Sequence, residues 1–265
     1  METMEYGGAE GGAGTVVFDL DGVIYLGSTP IPGADATINT LGQLGWQTLF
    51  ATNNSTRSSE SVAKLLADRV GVSVDPSTIV TSAMAVAAYL SDRGIRSAFV
   101  VGSQQLEGTI RLGGTSVVDH LSAEAVVVGI DRSLTTDKIN RAALAIRRGA
   151  AFVVTNTDAT FPTPDGHVPG AGSTVRAVAE AAGSAFVVCG KPHEPMVQLI
   201  SRQIHSKRVW MVGDRPETDV AFAKRAGWRS VLTLSGITAT IEDIPDAMMP
   251  DHIIASIADL VGIVT

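Results

Sequence analysis

Short runs of β-branched and other apolar residues recur from residue 15 onward. They lie at Thr15–Phe18, Gln47–Ala51, Ala98–Val101, Ala125–Val128, Phe152–Val154, Phe186–Val188, Val209–Val212 and Ser230–Leu234. Most are apolar at nearly every position rather than at alternate ones. Strands of that kind are buried on both faces, as in a parallel sheet covered by helices. The segments between them carry helical spacing. In Thr135–Arg148, Thr135 or Thr136 can cap, Asp137 favours the first turn, and Ile139, Ala143 and Ile146 share a face. Gly149 then stops the helix. Strands alternating with helices predict an α/β fold.

The segment from Ser82 to Gly183 has its own strand–helix alternation and a Pro/Gly-rich stretch near its end, TFPTPDGHVPGAG. The polar residues suited to chemistry cluster outside it. That predicts an inserted second domain over 82–183, with 15–81 and 184–265 forming the main domain. Residues 1–14 read as a disordered leader. Their glycines are no phosphate loop, because they precede the first strand and no Lys-Ser/Thr pair follows. The sequence shows no internal repeat.

Composition narrows the function. A chain of 265 residues that is 45% apolar can bury a large core. The net charge of −7 argues against a nucleic-acid partner, which calls for a basic face. An anionic ligand would have to be met locally, by a metal ion or a few placed cations. One cysteine, Cys189, excludes an intramolecular disulfide and a Cys-rich zinc site, and its apolar neighbours mark it as a buried hydrophobe. There is no signal peptide and no apolar run of roughly 18 residues, so a cytoplasmic protein without a membrane partner is expected.

Four of the apolar runs lead into polar groups suited to phosphate chemistry. Thr15–Phe18 runs into Asp19-Leu20-Asp21-Gly22, and Thr48–Ala51 into Thr52-Asn53-Asn54. Phe186–Val188 leads through Cys189 and Gly190 to Lys191. Val209–Val212 leads through Gly213 to Asp214 and, after RPET, to Asp219. Ligands of an open parallel sheet bind at the carboxyl ends of its strands, so the four ends can converge there. Residues i and i+2 of an extended segment project to one side, so Asp19 and Asp21 can address one centre. With Asp214 they make an oxygen-rich site suited to Mg²⁺. Thr52 and the amide of Asn53 can donate to phosphate oxygens, and Lys191 supplies a point charge. Gly22 and Gly213 permit close backbone approach. Each group alone has an ordinary reading as a turn or a helix start. All four, in order, point to one site.

In this order and spacing the motifs resemble those of the haloacid dehalogenase superfamily. DLDGVIY is similar to its first motif, TNNST to its second, GKP to its third and GDRPETD to its fourth. TNTDATFPTPDGHVPGAGS resembles the cap signature of the NagD-like and p-nitrophenylphosphatase branch. The resemblance implies a Rossmann-like parallel-sheet core with a smaller α/β cap. It further implies Asp19 as nucleophile, forming an aspartyl-phosphate, and Asp21 as acid/base. Asp19, the Asp21 carbonyl and Asp214 would hold Mg²⁺, with Asp219 supporting them from behind. Thr52, Asn53 and Lys191 would clamp the phosphoryl group, and Asn156 and Asp158 of the cap would touch the leaving group. The presence of Asp21 speaks for phosphate esters, since the dehalogenases lack that second Asp. The implied activity is a Mg²⁺-dependent phosphomonoester hydrolase for small phosphorylated metabolites, with a homodimer through the cap as an open option. A phosphotransferase, or a silent phosphate-ligand-binding protein of the same fold, are the alternatives.

Other features read plainly. His193-Glu194 is no zinc-protease motif, because Pro195 follows and no second His stands at the required spacing. Without a Gly-x-Ser-x-Gly, a serine hydrolase is unsupported. Trp46, Trp210 and Trp228 read as packing residues.

Overall fold

The computed structural model describes residues 13–27, 29–163 and 166–265. Most of the expected leader, and Pro164 and Asp165 of the Pro/Gly-rich stretch, lie outside these. Gly14, assigned from the sequence to the leader, instead opens the first strand and pairs with Trp46.

Eleven strands of the described residues build two parallel sheets. In chain order they are β1 Gly14–Phe18, β2 Trp46–Thr52, β3 Ile79–Thr81, β4 Ser97–Val101, β5 Ser116–Val117 and β6 Ala125–Val128. There follow β7 Ala151–Val154, β8 Val187–Val188, β9 Val209–Gly213, β10 Arg229–Thr233 and β11 His252–Ile254. The larger sheet has the order β11-β10-β9-β1-β2-β3, and the smaller β8-β7-β6-β4-β5. From β1 the larger sheet grows outward through β2 and β3, and from β9 it grows the other way. Its switch point therefore lies between β1 and β9, where a ligand crevice is expected.

Side chains alternate between faces along each strand, and three apolar layers result. Val16 and Phe18 of β1 face one cluster with Leu41, Phe50, Trp210 and Val212. Val17 faces a second, shared with Met211 and with Val100, Val127 and Val153 of the smaller sheet. Helices Ser82–Asp92 and Glu194–Ser201 pack together in this shared layer. The outer face of the smaller sheet packs against helices Thr136–Arg147 and Ala171–Ala182. The order is thus helices, sheet, helices, sheet, helices.

The sequence reading held for the helix after β6: the Thr135 hydroxyl caps it by accepting from the Lys138 amide at 3.2 Å. The three tryptophans pack as expected, Trp46 and Trp210 buried and Trp228 against the shared layer. Cys189 is buried, which pushes its thiol up to about 12. The boundary at 183 needs correction. The smaller sheet takes its edge strand from Val187–Val188, past that boundary, because these residues pair with the ends of β7.

Candidate active site

Three of the four chemistry-bearing strand ends, those of β1, β2 and β9, are neighbours in the larger sheet. The fourth is not. Lys191 follows β8 of the smaller sheet, whose pairing continues as Cys189 N–H donates to Val154 O and Gly190 N–H to Thr155 O. The single-sheet convergence expected from the sequence is therefore corrected: the carboxyl ends of two sheets meet.

At the larger sheet's switch point the carboxylates are packed closely. Gly22 has φ +87°, and a Cβ there would lie 2.3 Å from Asp214 Oδ2. A Cβ on Gly213 would come 2.1 Å from that of Asp219. Only glycine lets the two backbone turns approach this closely. Asp219 is fixed by three donors at its two oxygens: Oδ2 accepts from the amides of Asp214 (3.2 Å) and Arg215 (3.1 Å). Its Oδ1 accepts from Lys191 Nζ at 2.8 Å, and the same ammonium donates to Asp19 Oδ1 at 2.5 Å. Lys191, Asp19, Asp214 and Asp219 are all buried.

One oxygen of each of Asp19, Asp214 and Asp219 lies within 4.8 Å of the others. Asp214 Oδ2 accepts from the Ile237 amide at 2.7 Å, whereas Oδ1 is buried with no hydrogen-bond partner among the described residues. An orphaned carboxylate oxygen in an acidic cluster is costly without a cation. The donor set, all oxygen, suits a hard divalent ion. Electrostatics agree. Burial, reinforced by the charges of Asp19 and Asp219, pushes Asp214 up to about 8. Burial raises Asp19 to about 6 despite Lys191. Burial would lower Lys191, but Asp19 and Asp219 outweigh it and its pKa rises. Asp21 differs from its expected partners: its carboxylate is not in the three-member cluster but lines the adjoining cavity. Burial and then the charge of Asp19 push it up to about 7, with Arg57 opposing.

Asn53 ties the two sheet ends together. Its Oδ1 accepts from the Lys191 amide at 2.8 Å, and its Nδ2 donates to Asp158 (3.2 and 3.3 Å) and to Lys191 O (3.2 Å). Its carbonyl accepts from Ser82 Oγ (2.6 Å) and Asn156 Nδ2 (2.7 Å). The Asn53 side chain is therefore engaged in positioning, which leaves its main-chain amide as the part suited to an anion. Thr52 is buried; its hydroxyl accepts from the Asn54 amide at 3.1 Å and keeps its proton for donation.

Asp19, Asp21, Thr52, Asn53, Lys191 and Asp219 line one cavity of about 70 Å³, together with Asn156, Asp158, Ile130, Arg132, Thr160 and Arg215; Asp214 does not. His193 is not among the lining residues; it stands just before the helix at Glu194. The sequence reading missed Arg132 and Arg215. Arg215 stood inside a quoted motif. Arg132 follows β6, and the strand-end rule applied to the smaller sheet would have found it.

The comparisons with known proteins fit this geometry. Residues 16–115 match the haloacid dehalogenase-like hydrolase model, and residues 188–260 a second model of HAD-hydrolase-like proteins. The chain is 33% identical to an acid sugar phosphatase of Staphylococcus haemolyticus over 87% of this chain and 88% of that one. A p-nitrophenyl phosphatase from Archaeoglobus fulgidus superposes with TM-score 0.86 at 33% identity, covering 94% of this chain and 98% of that. A glycerol phosphate phosphatase from Mycobacterium tuberculosis, solved with magnesium and with calcium, gives TM-score 0.84 at 31% identity. It covers 93% of this chain and 75% of the magnesium complex's chain. This chain belongs to the haloacid dehalogenase-like hydrolases, among their phosphatases.

Proposed function

We propose that the chain hydrolyses small phosphomonoesters with Mg²⁺ through a phosphoryl group carried on Asp19. The observation that carries this reading is the buried Asp19–Lys191–Asp219 network beside Asp214, whose Oδ1 has no hydrogen-bond partner among the described residues. Asp19, the Asp21 carbonyl and Asp214 would hold the ion, with Asp219 anchoring the loop behind them. Bound Mg²⁺ would offset the repulsion between a carboxylate nucleophile and an anionic phosphoryl group.

The chain's own residues account for the rest. Thr52, the Asn53 amide and Lys191 Nζ donate to the phosphoryl oxygens. Asp19 attacks phosphorus, and the bond to the leaving oxygen breaks as Asp21 gives that oxygen a proton. Water then attacks the phosphorus of the aspartyl-phosphate while Asp21 takes its proton, and inorganic phosphate leaves. Burial and the charge of Asp19 raise Asp21 in the metal-free protein, the direction that favours a carboxyl able to give a proton to the leaving oxygen. The segment 82–188 acts as the cap, with Asn156 and Asp158 bordering the leaving group. The test is turnover of p-nitrophenyl phosphate with Mg²⁺: activity that EDTA abolishes and Mg²⁺ restores supports the reading, and full activity in EDTA overturns the metal's part in it.

A further inference from the structure

The smaller sheet has its own switch point, between β4 and β6, and the loop that leaves β6 brings Ile130 and Arg132 to the cavity. That loop is pinned. Asp131 is buried; its Oδ1 accepts from the Ser133 amide (2.8 Å) and hydroxyl (2.9 Å). Its Oδ2 accepts from Lys138 Nζ at 2.7 Å, and the same ammonium reaches Ser133 Oγ at 3.0 Å. Arg132 sits between these two anchored residues, yet its guanidinium makes no ion pair or hydrogen bond with any described residue.

The other two cations lining the cavity are Lys191 and Arg215. Lys191 is held by Asp19 and Asp219, and Arg215 feels the charges of Asp214, Asp158 and Asp19. Arg132 borders the cavity from the smaller sheet, the side that also carries Asn156 and Asp158, where the leaving group would lie.

We propose that Arg132 is a specificity-determining residue that binds a carboxylate on the leaving group, so that the favoured substrates are short phosphorylated hydroxy acids. The planar guanidinium fork matches a carboxylate with two parallel hydrogen bonds. This rests on the phosphatase reading, and the experiment separates the two.

The full chain with Mg²⁺ is assayed on 3-phosphoglycerate and glycerol 3-phosphate, which differ in a carboxylate against a hydroxymethyl group, and on p-nitrophenyl phosphate. The wild type should favour 3-phosphoglycerate in kcat/KM by about tenfold. Arg132→Ala should erase most of that preference, chiefly through KM, and Arg132→Lys should keep part of it. Turnover of p-nitrophenyl phosphate without a preference for the acid overturns the proposal and leaves the phosphatase reading standing. So does an Arg132→Ala loss equal on both glyceryl esters, which would put Arg132 on the phosphoryl group or the cap's fold. No turnover of any of the three esters overturns the phosphatase reading and the proposal with it.

Discussion

The two sheets present their carboxyl ends to one cavity, but they do so with opposite physical character. At the larger sheet's end the groups are buried, close and mutually fixed: Asp219 takes three donors, one of them Lys191, which reaches over from the smaller sheet to bridge two carboxylates. At the smaller sheet's end, Arg132 is exposed on a pinned turn, and Asn156 and Asp158 reach the network through Asn53. The first arrangement is suited to a step that is the same for every phosphate ester. The second is suited to reading what the phosphate is attached to. In the proposed mechanism the larger sheet's end, with Lys191 reaching over from the smaller, handles the phosphoryl group, and the rest of the smaller sheet's end meets the alcohol.

The sharpest way to break this division is at Asp19. Replacing it with Asn leaves the shape of the site but supplies a carboxamide, a poor nucleophile, so kcat should fall by about 10⁴-fold or more on every substrate. A loss confined to some substrates would place Asp19 on the alcohol side and dissolve the comparison.

Next in size is the effect of metal on stability. Asp19, Asp21 and Asp214 are raised to about 6, 7 and 8 in the folded protein without metal, against a value near 4 when unfolded. The folded state then binds more protons than the unfolded one between about pH 4 and 8. These groups thus contribute stability below about pH 4 that is lost as pH rises through 6 to 8. Mg²⁺ binding requires the ionised carboxylates and removes their repulsion. The rise in Tm on adding Mg²⁺ should therefore be several degrees larger at pH 8 than at pH 5. Equal shifts at both pH values would mean that the carboxylates are already ionised without the metal.

Asn53 joins the two ends, so Asn53→Ala should act on both. It frees Lys191's main chain and removes the donor that Asp158 accepts from. About a tenfold loss in kcat/KM on all substrates is expected, with an added change in their ranking. A smaller effect is expected at Asp158. Asp158→Ala should alter the ratio of kcat/KM values between two metabolite esters several-fold, by more than it alters turnover of p-nitrophenyl phosphate. Equal losses throughout would make Asp158 a support for the cap's fold.

What the sequence revealed of each end follows the same line. The larger sheet's central strands β1, β2 and β9 are long apolar runs, and Asp19, Thr52 and Asp214 stand at or just past their ends, so strand-end reasoning reached them directly. The smaller sheet's edge strand is only Val187–Val188, too short to reveal which sheet it joins, and Lys191 was read onto the wrong one. Strands β3 and β11, three residues each, were missed because their apolar runs are as short as those of a loop. Asn53 was legible as a polar group at a strand end. Its role as a bridge was not, because its partners Ser82, Asn156, Asp158 and Lys191 are remote in sequence. Arg132 lacked any motif and became visible only when β6 was seen to open on the cavity.

The covalent step on Asp19 is tested most directly by quenching Asp21→Asn during turnover of p-nitrophenyl phosphate and measuring its intact mass. The first step needs little help from Asp21, because p-nitrophenol is acidic enough to leave unassisted. The second needs Asp21 to take a proton from water, whatever has left. General acid–base assistance is worth about 10²–10⁴-fold, so the variant should release a burst of p-nitrophenol and then stall. The expected result is a species heavier by one phosphoryl group, absent from Asp19→Asn. A demonstrated burst with no such species would contradict the account and reduce Asp19 to a metal ligand.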